Sequence, residues 1–302
     1  MSQTQRLGGV CAATLTPLRA DLSPDEDALL AHARALFAQG CDAINLLGTT
    51  GEAMSLSLAQ RCALIDAIAH SDLPRSAMMV GTGANSLADA VELARRTTTA
   101  GFAGALVMPP CYYKPASEDG IVRFFDELLA RVADDGLRIY LYNFPALSGI
   151  VFTPTLIQRL ITAYPHTIVG LKDSSNAPGY ADAIVREFPH LRIFPSSEEM
   201  LWQARERGFA GCISASVNLT ASLAAAVWRN PGEAHADGRA GRLAQLRASL
   251  VRFPVIPALR YLLSVERKDP SWRRMLPPLV PLSDAQALEL EHAFTSLRRD
   301  DV

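Results

Sequence analysis

Eight short apolar runs, each separated from the next by a helix-like stretch, constrain the fold of this chain more than any other feature of its sequence. They are residues 10–15 (VCAATL), 43–47 (AINLL), 77–81 (AMMVG), 104–108 (GALVM), 138–142 (RIYLY), 167–171 (TIVGL), 191–194 (LRIF) and 210–214 (AGCIS). They are near-continuously apolar rather than alternating, the pattern of strands buried on both faces of a parallel sheet. Helix starts are legible between them. Ser23-Pro24-Asp25-Glu26 reads as a capping box with proline at the first helical position, ahead of an apolar face of Leu29, Leu30, Ala33, Leu36 and Phe37 and a stop at Gly40. Ser57-Leu58-Ala59-Gln60 repeats the box, Ser86 and Ser117 read as N-caps, and Thr153-Pro154 opens another helix. Strand starts fall about 19 to 34 residues apart, leaving room for one helix in each interval. Eight such units predict an α/β protein of the (β/α)₈ barrel type. A doubly wound sheet would need a glycine fingerprint that is missing, since Gly81-Thr82-Gly83 is followed by Ser86 where a third glycine belongs.

Around Asn230-Pro231-Gly232 the rhythm changes. Helical patterns follow at 239–252, 256–266 and 284–298, the last opened by Ser283-Asp284-Ala285-Gln286. A connector holding Pro270, Pro277, Pro278 and Pro281 precedes it. The expected organisation is a barrel catalytic domain over 1–230 and an all-helical C-terminal domain over 231–302, packed on the barrel.

Composition removes several classes of function. The chain is 49% hydrophobic and 20% charged, with 29 Lys+Arg against 31 Asp+Glu, a formal charge of −2. It is neither disordered nor drawn electrostatically to nucleic acid or anionic membranes. No run of 18 apolar residues spans a membrane, and Met1 to Gly9 lacks the apolar core of a signal peptide. Five cysteines without a C-x-x-C pair fit neither a disulfide framework nor a zinc knuckle, so a cytoplasmic location is the expectation. The six histidines form no H-E-x-x-H pattern, and no G-x-S-x-G elbow or phosphate-binding G-K-[ST] loop occurs.

Polar residues that end apolar strands are therefore the candidates, because barrel chemistry sits at the C-terminal ends of the strands. Lys172, one of only three lysines with Lys114 and Lys268, directly follows Ile168-Val169-Gly170-Leu171. Burial disfavours the ammonium form, and a neutral amine attacks carbonyls; the same residue could equally snorkel from the strand end or pair with Asp173. Tyr142 ends the neighbouring run, about 4.8 Å away in a parallel sheet, where its phenol could shuttle protons or simply pack. Gly48-Thr49-Thr50-Gly51-Glu52 offers a tight turn, two hydroxyls and free N–H groups, a cradle sized for a carboxylate.

Taken together, Gly48-Thr49-Thr50-Gly51-Glu52, Tyr142-Asn143-x-Pro145, Gly170-x-Lys172-Asp173-Ser174 and Gly211-Cys212-Ile213-Ser214 resemble, in order and spacing, the dihydrodipicolinate synthase / N-acetylneuraminate lyase family. The resemblance covers essentially the whole chain. It implies a (β/α)₈ barrel with a C-terminal helical domain, a homotetramer built as a dimer of dimers, and a lysine Schiff base with pyruvate or a pyruvate-derived acid, without metal or organic cofactor. Carried over, Lys172 is the Schiff-base lysine and Tyr142 the proton-transferring phenol. Gly48, Thr49 and Thr50 hold the 2-oxo acid carboxylate, with Thr50 also in the proton relay. Tyr112 resembles the tyrosine lent to a neighbouring subunit to complete that relay, and Ile213 meets the pyruvate moiety through its carbonyl.

The departures bear on the aldehyde partner. Synthases of lysine biosynthesis resemble Tyr-Asn-x-Pro-x-Arg-Thr-Gly, whereas this chain reads Tyr142-Asn143-Phe144-Pro145-Ala146-Leu147-Ser148-Gly149. Leu147 cannot make the bidentate contact that an arginine gives a carboxylate. Ala-Leu-Ser-Gly resembles the sialic acid lyase branch instead, yet that branch's Gly-x-Asp-Glu stretch corresponds here to Ser196-Ser197-Glu198-Glu199. Glu198 and Glu199 keep two acids for sugar hydroxyls, and Ser196 adds bulk. A reversible class I aldolase cleaving a 2-oxo-3-deoxy sugar acid, or a related 4-hydroxy-2-oxo acid, to pyruvate and an aldehyde accommodates both departures. The rivals are a 4-hydroxy-tetrahydrodipicolinate (dihydrodipicolinate) synthase condensing pyruvate with aspartate semialdehyde, with Arg260 standing in for the missing arginine, and a non-catalytic barrel that binds a 2-oxo acid.

Overall fold

The computed structural model describes residues 7–298, so most of the stretch Met1 to Gly9 lies outside the described residues. Its strands are β1 (Gly9–Ala13), β2 (Ala43–Leu46), β3 (Met78–Gly81), β4 (Gly104–Val107), β5 (Ile139–Asn143), β6 (Ile168–Asp173), β7 (Arg192–Pro195) and β8 (Gly211–Ser214). They run parallel in the order β7-β6-β5-β4-β3-β2-β1-β8. β7 also lies beside β8, where the Ala210 N–H donates to the Ile193 carbonyl at 2.8 Å, so the sheet curls into a (β/α)₈ barrel. Each strand coincides with one of the eight apolar runs to within about two residues at either end. β6 runs further than the sequence pattern suggests, carrying Lys172 and Asp173 inside its ladder.

Side chains alternate across this curved sheet. Ile44, Leu46, Val80, Val107, Leu141, Leu171 and Ile193 point outward beneath the helices, whereas Cys11, Ala43, Met79, Leu106, Tyr140, Tyr142, Phe194 and Ile213 fill the interior. A barrel with a shear of 8 displaces equal heights by about one residue per strand, so layers of side chains come from alternate strands. Applied to the observed registers, that rule puts Cys11, Met79, Tyr140 and Phe194 in one layer. The Tyr140 and Phe194 rings meet there at 6.0 Å. The next layer toward the C-terminal face holds Asn45, Leu106, Lys172 and Ile213, and the layer above it Ala13, Gly81 and Tyr142.

The helices are α1 (Glu26–Ala38), α2 (Leu58–Ala69), α3 (Leu87–Thr99), α4 (Glu118–Val132), the single turn α5 (Pro145–Ser148), α6 (Pro154–Ala163), α7 (Tyr180–Glu187) and α8 (Val217–Arg229). Ser57 and Gln60 form the full capping box, and Ser86, Ser117 and Thr153 each accept a first-turn N–H. The expected box at Ser23 does not form. Asp25 caps α1 through the Ala28 N–H, while Ser23 is turned back onto Asp21, a stronger charged acceptor two residues away. The seventh unit departs from the pattern too, because residues 199–208 wind through successive turns instead of a helix.

After Arg229 the chain bends and continues directly into α9 (Pro231–Ala236), followed by α10 (Arg239–Val251), α11 (Val255–Glu266) and α12 (Asp284–Arg298). Leu246, Leu250, Leu259, Leu263, Leu290 and Phe294 of these helices share one apolar cluster with Leu15 and Leu219 of the barrel. His32 adds a polar joint. Arg267 donates to its Nδ1 at 2.5 Å, which leaves Nε2–H to donate to Asn218 Oδ1 at 2.8 Å. Among the described residues no single helix is long and apolar enough to cross a membrane.

Candidate active site

Lys172 and Tyr142 are register partners on β6 and β5, and each is 4% exposed. The lysine Nζ stands over the phenol ring, 4.5 Å from its centroid. Asp173, weighed above as an ion-pair partner for the lysine, is engaged elsewhere. Its Oδ1 accepts from Asn143 Nδ2 at 2.8 Å and from the Ser175 N–H at 3.0 Å, while Asn143 Oδ1 takes the Phe152 N–H at 3.0 Å. This side-chain bridge ties the ends of β5 and β6 together and leaves the amine with the aromatic face. Cys11 also lies in the interior, and burial pushes its thiol far above the usual range, so it stays protonated there.

The loop after β2 supplies the threonines. Thr49 Oγ1 lies 3.3 Å from the Tyr142 hydroxyl. Of the two threonines it is Thr49 whose hydroxyl faces the phenol, while Thr50, expected in the relay, is buried. Adjacent threonines in a turn point different ways, and nothing in their sequence says which one looks inward. Glu52 anchors the loop from the other side in a left-handed conformation, φ 55°. Its Oε1 accepts from Arg260 Nε at 2.7 Å and from Arg260 Nη2, and its Oε2 takes the Leu276 N–H at 2.7 Å. Arg260 also donates to the Thr16 carbonyl at 2.8 Å, and Thr16 Oγ1 to the Gly51 carbonyl at 2.8 Å. Burial pulls the Arg260 pKa down against the opposing pull of Glu52. Arg260 is thus fully buried in a clamp and cannot stand in for the arginine missing at Leu147.

The other expected contacts distribute unevenly. Ile213 is buried in the layer of Lys172, and Ser196 extends the β6–β7 ladder by donating its N–H to the Asp173 carbonyl at 2.8 Å. Glu198 does not present a free carboxylate to a sugar. It is fully buried and accepts from Ser214 Oγ, from Thr220 Oγ1 at 3.2 Å and from Arg247 Nη1 at 3.3 Å, which fixes the irregular 199–208 segment to β8 and α10. Glu199 remains part-exposed, 3.7 Å from Arg247. Tyr112 is 76% exposed, its ring against Tyr113 at 5.2 Å, and its N–H, like that of Cys111, caps Asn85 Oδ1. Within one chain its hydroxyl makes no hydrogen bond among the described residues. Sequence reasoning gave no role to Asn45, a buried polar residue inside the apolar run AINLL, or to the Glu52–Arg260 pair; only the polar break in that run could have signalled the first.

A cleft of ≈ 30 Å³ opens at this face beside Gly48, Thr49, Gly81, Leu106 and Tyr142. A larger cavity of ≈ 550 Å³, bordered by Asp42, Arg192, Arg205 and Trp228, lies at the opposite end where the strands begin. Size does not decide between them, because Thr49 and the Tyr142 phenol border the first, and Lys172 stands over that same phenol.

Comparisons with known proteins bear on the family and the fold. The model of the dihydrodipicolinate synthetase family matches residues 6–297. An uncharacterized DapA-like lyase of Chloroflexus aurantiacus is 34% identical over 95% of this chain and 95% of its own. A putative 2-dehydro-3-deoxy-D-gluconate aldolase, YagE of Escherichia coli K12, is 27% identical over 99% of each chain. Its crystal structure in complex with pyruvate superposes with a TM-score of 0.84 at 26% identity, covering 96% of this chain and 98% of that one. The crystal structure of dihydrodipicolinate synthase from Agrobacterium tumefaciens gives a TM-score of 0.88 at 30% identity, over 96% of this chain and 99% of that one.

Proposed function

The chain belongs to the dihydrodipicolinate synthetase family, and from that premise we propose that it is a class I pyruvate aldolase, a carbon–carbon lyase working through an imine on Lys172. The observation that carries this reading is a buried lysine amine poised over a phenol and free of the neighbouring carboxylate. Condensed with the ketone of a 2-oxo acid, the amine becomes an electron sink. The pair left at C3 when the adjacent bond breaks is held as an enamine, and reprotonation with hydrolysis releases pyruvate. Tyr142 exchanges protons with the carbinolamine and with the aldol hydroxyl, and Thr49 fixes its phenol. Thr49, Thr50 and Gly48 hold the carboxylate, and the Ile213 carbonyl borders the pyruvate carbons.

The aldehyde half is a polyhydroxy chain, so the substrate is a 2-oxo-3-deoxy sugar acid or related 4-hydroxy-2-oxo acid. Supporting this, Leu147 is a half-exposed apolar residue and Arg260 is sequestered, so neither offers a cation for aspartate semialdehyde. The name of the E. coli relative points the same way. Cytoplasmic location, and a homotetramer in which Tyr112 enters a neighbour's site, belong to the same reading. Its test is borohydride reduction in the presence of pyruvate, with mass analysis of the digest. Irreversible addition to Lys172 in the parent and none in Lys172→Met is expected; unmodified protein, or label on Lys114 or Lys268, overturns the imine mechanism. A panel of 2-oxo-3-deoxy acids read by pyruvate release tests the substrate class, and product from aspartate semialdehyde with pyruvate would favour the synthase.

A further inference from the structure

Asn45 occupies a place that barrels ordinarily give to a branched apolar side chain. It is fully buried, and neither its Oδ1 nor its Nδ2 has a hydrogen-bond partner among the described residues. An unpaired primary amide is a standing cost to the fold, the kind tolerated where a ligand later completes it. Its position says which ligand. Asn45 shares a layer with Lys172, on the diametrically opposite strand of the eight, so the two side chains face each other across the barrel interior. Its amide also reaches up against the loop that carries the threonines: a Cβ on Gly48 would come within 2.6 Å of Nδ2, so the missing side chain at Gly48 makes room for it. The amide thus sits against the turn that would hold the carboxylate, on the strand opposite the amine that would take the ketone carbon.

We infer that Asn45 is a substrate-contacting residue of the imine site, an assignment that rests on the lyase reading above. Its Nδ2–H donates to the ketone oxygen of the 2-oxo acid. The Lys172 lone pair forms the N–C2 bond, the C=O π pair moves to oxygen, and that oxygen takes one proton from the nitrogen by way of Tyr142. Asn45 then holds the resulting carbinolamine hydroxyl through both amide atoms. When the C–O bond breaks, the hydroxyl leaves with the nitrogen's second proton as water, and the nitrogen lone pair closes C=N.

The test compares parent, Asn45→Leu and Asn45→Ser in the rate of pyruvate-dependent borohydride labelling of Lys172 and in melting temperature. Labelling about tenfold slower in Asn45→Leu, with an equal or higher melting temperature and an intermediate rate in Asn45→Ser, is the expected result, since leucine removes an unsatisfied amide while the serine keeps a hydroxyl. Labelling at the parental rate in Asn45→Leu overturns the inference. So does a lowered melting temperature with an unchanged rate per folded molecule, which would make Asn45 a structural residue. Absence of label in the parent itself overturns the lyase reading together with this one, and so separates the two failures.

Discussion

Two loops at the C-terminal face of the barrel are built on opposite plans. The loop after β2 is tied down within its own chain: Glu52 spends both carboxylate oxygens on Arg260 and Leu276, Thr16 holds Gly51, and Thr49 meets Tyr142. The loop after β4 holds its backbone through Asn85 but turns Tyr112 and Tyr113 outward, 76% and 84% exposed. The first loop is preorganised, and under the proposed lyase reading that would let it hold a small carboxylate without an ordering cost at binding. The second presents two aromatic rings of a kind that gain most by being covered. One loop is held by contacts within its own chain, and the other leaves its two aromatic rings exposed.

The comparison breaks first at Arg260. Replacing it by methionine leaves the buried Glu52 carboxylate without its counter-charge and with only the Leu276 N–H, and urea unfolding should show a loss of about 3–5 kcal/mol, partly recovered in the double variant Glu52→Gln/Arg260→Met. A loss under about 1 kcal/mol would mean that the clamp does not hold the loop. Acid probes the second joint between barrel and C-terminal helices. Burial first, and then the Arg267 guanidinium, lower the His32 pKa from 6.5 to about 4. The unfolded chain therefore binds a proton between pH 6.5 and 4 that the folded chain refuses. Stability from this site is full above pH 6.5 and falls by about 3 kcal/mol as the pH drops to 4. His32→Gln should flatten that slope in a series of denaturant midpoints.

Thr49→Val sharpens the same contrast at lower amplitude. It removes the hydroxyl facing Tyr142 while keeping the shape, so turnover should fall about tenfold, with unfolding free energy lowered by no more than about 1.5 kcal/mol; unchanged turnover would place the relay elsewhere. Tyr112→Ala should move the unfolding free energy of a dissociated chain by no more than about 0.5 kcal/mol, as for other exposed positions. If its ring works in a neighbouring subunit, turnover at assembling concentrations drops all the same. A fall in both quantities would make Tyr112 part of its own chain's fold.

How much of this was legible follows from how local each signal is. The strands announced themselves because burial on both faces leaves a continuous apolar run, and the caps at Ser57, Ser86, Ser117 and Thr153 because a cap is a contact within four residues. Lys172 and Tyr142 could be paired from sequence since one directly follows and the other closes an apolar run, and neighbouring parallel strands in register bring such residues side by side. What failed to show was long-range or conformational. The Glu198 carboxylate reads as a sugar ligand until Thr220 and Arg247 are seen to take it from helices 22 and 49 residues away. The choice between Thr49 and Thr50 depends on a turn whose dihedrals the sequence leaves open, and the seventh unit lost its helix to a segment held by that same buried glutamate.

The Glu52–Arg260 contact joins residues 208 positions apart. During synthesis the β2 loop therefore emerges, and its barrel strands follow, long before the cation that steadies it leaves the ribosome. A nascent chain ending short of residue 260 would carry Lys172 and Tyr142 but lack the cation that steadies the β2 loop, so that loop takes its final place only after Arg260 has been made.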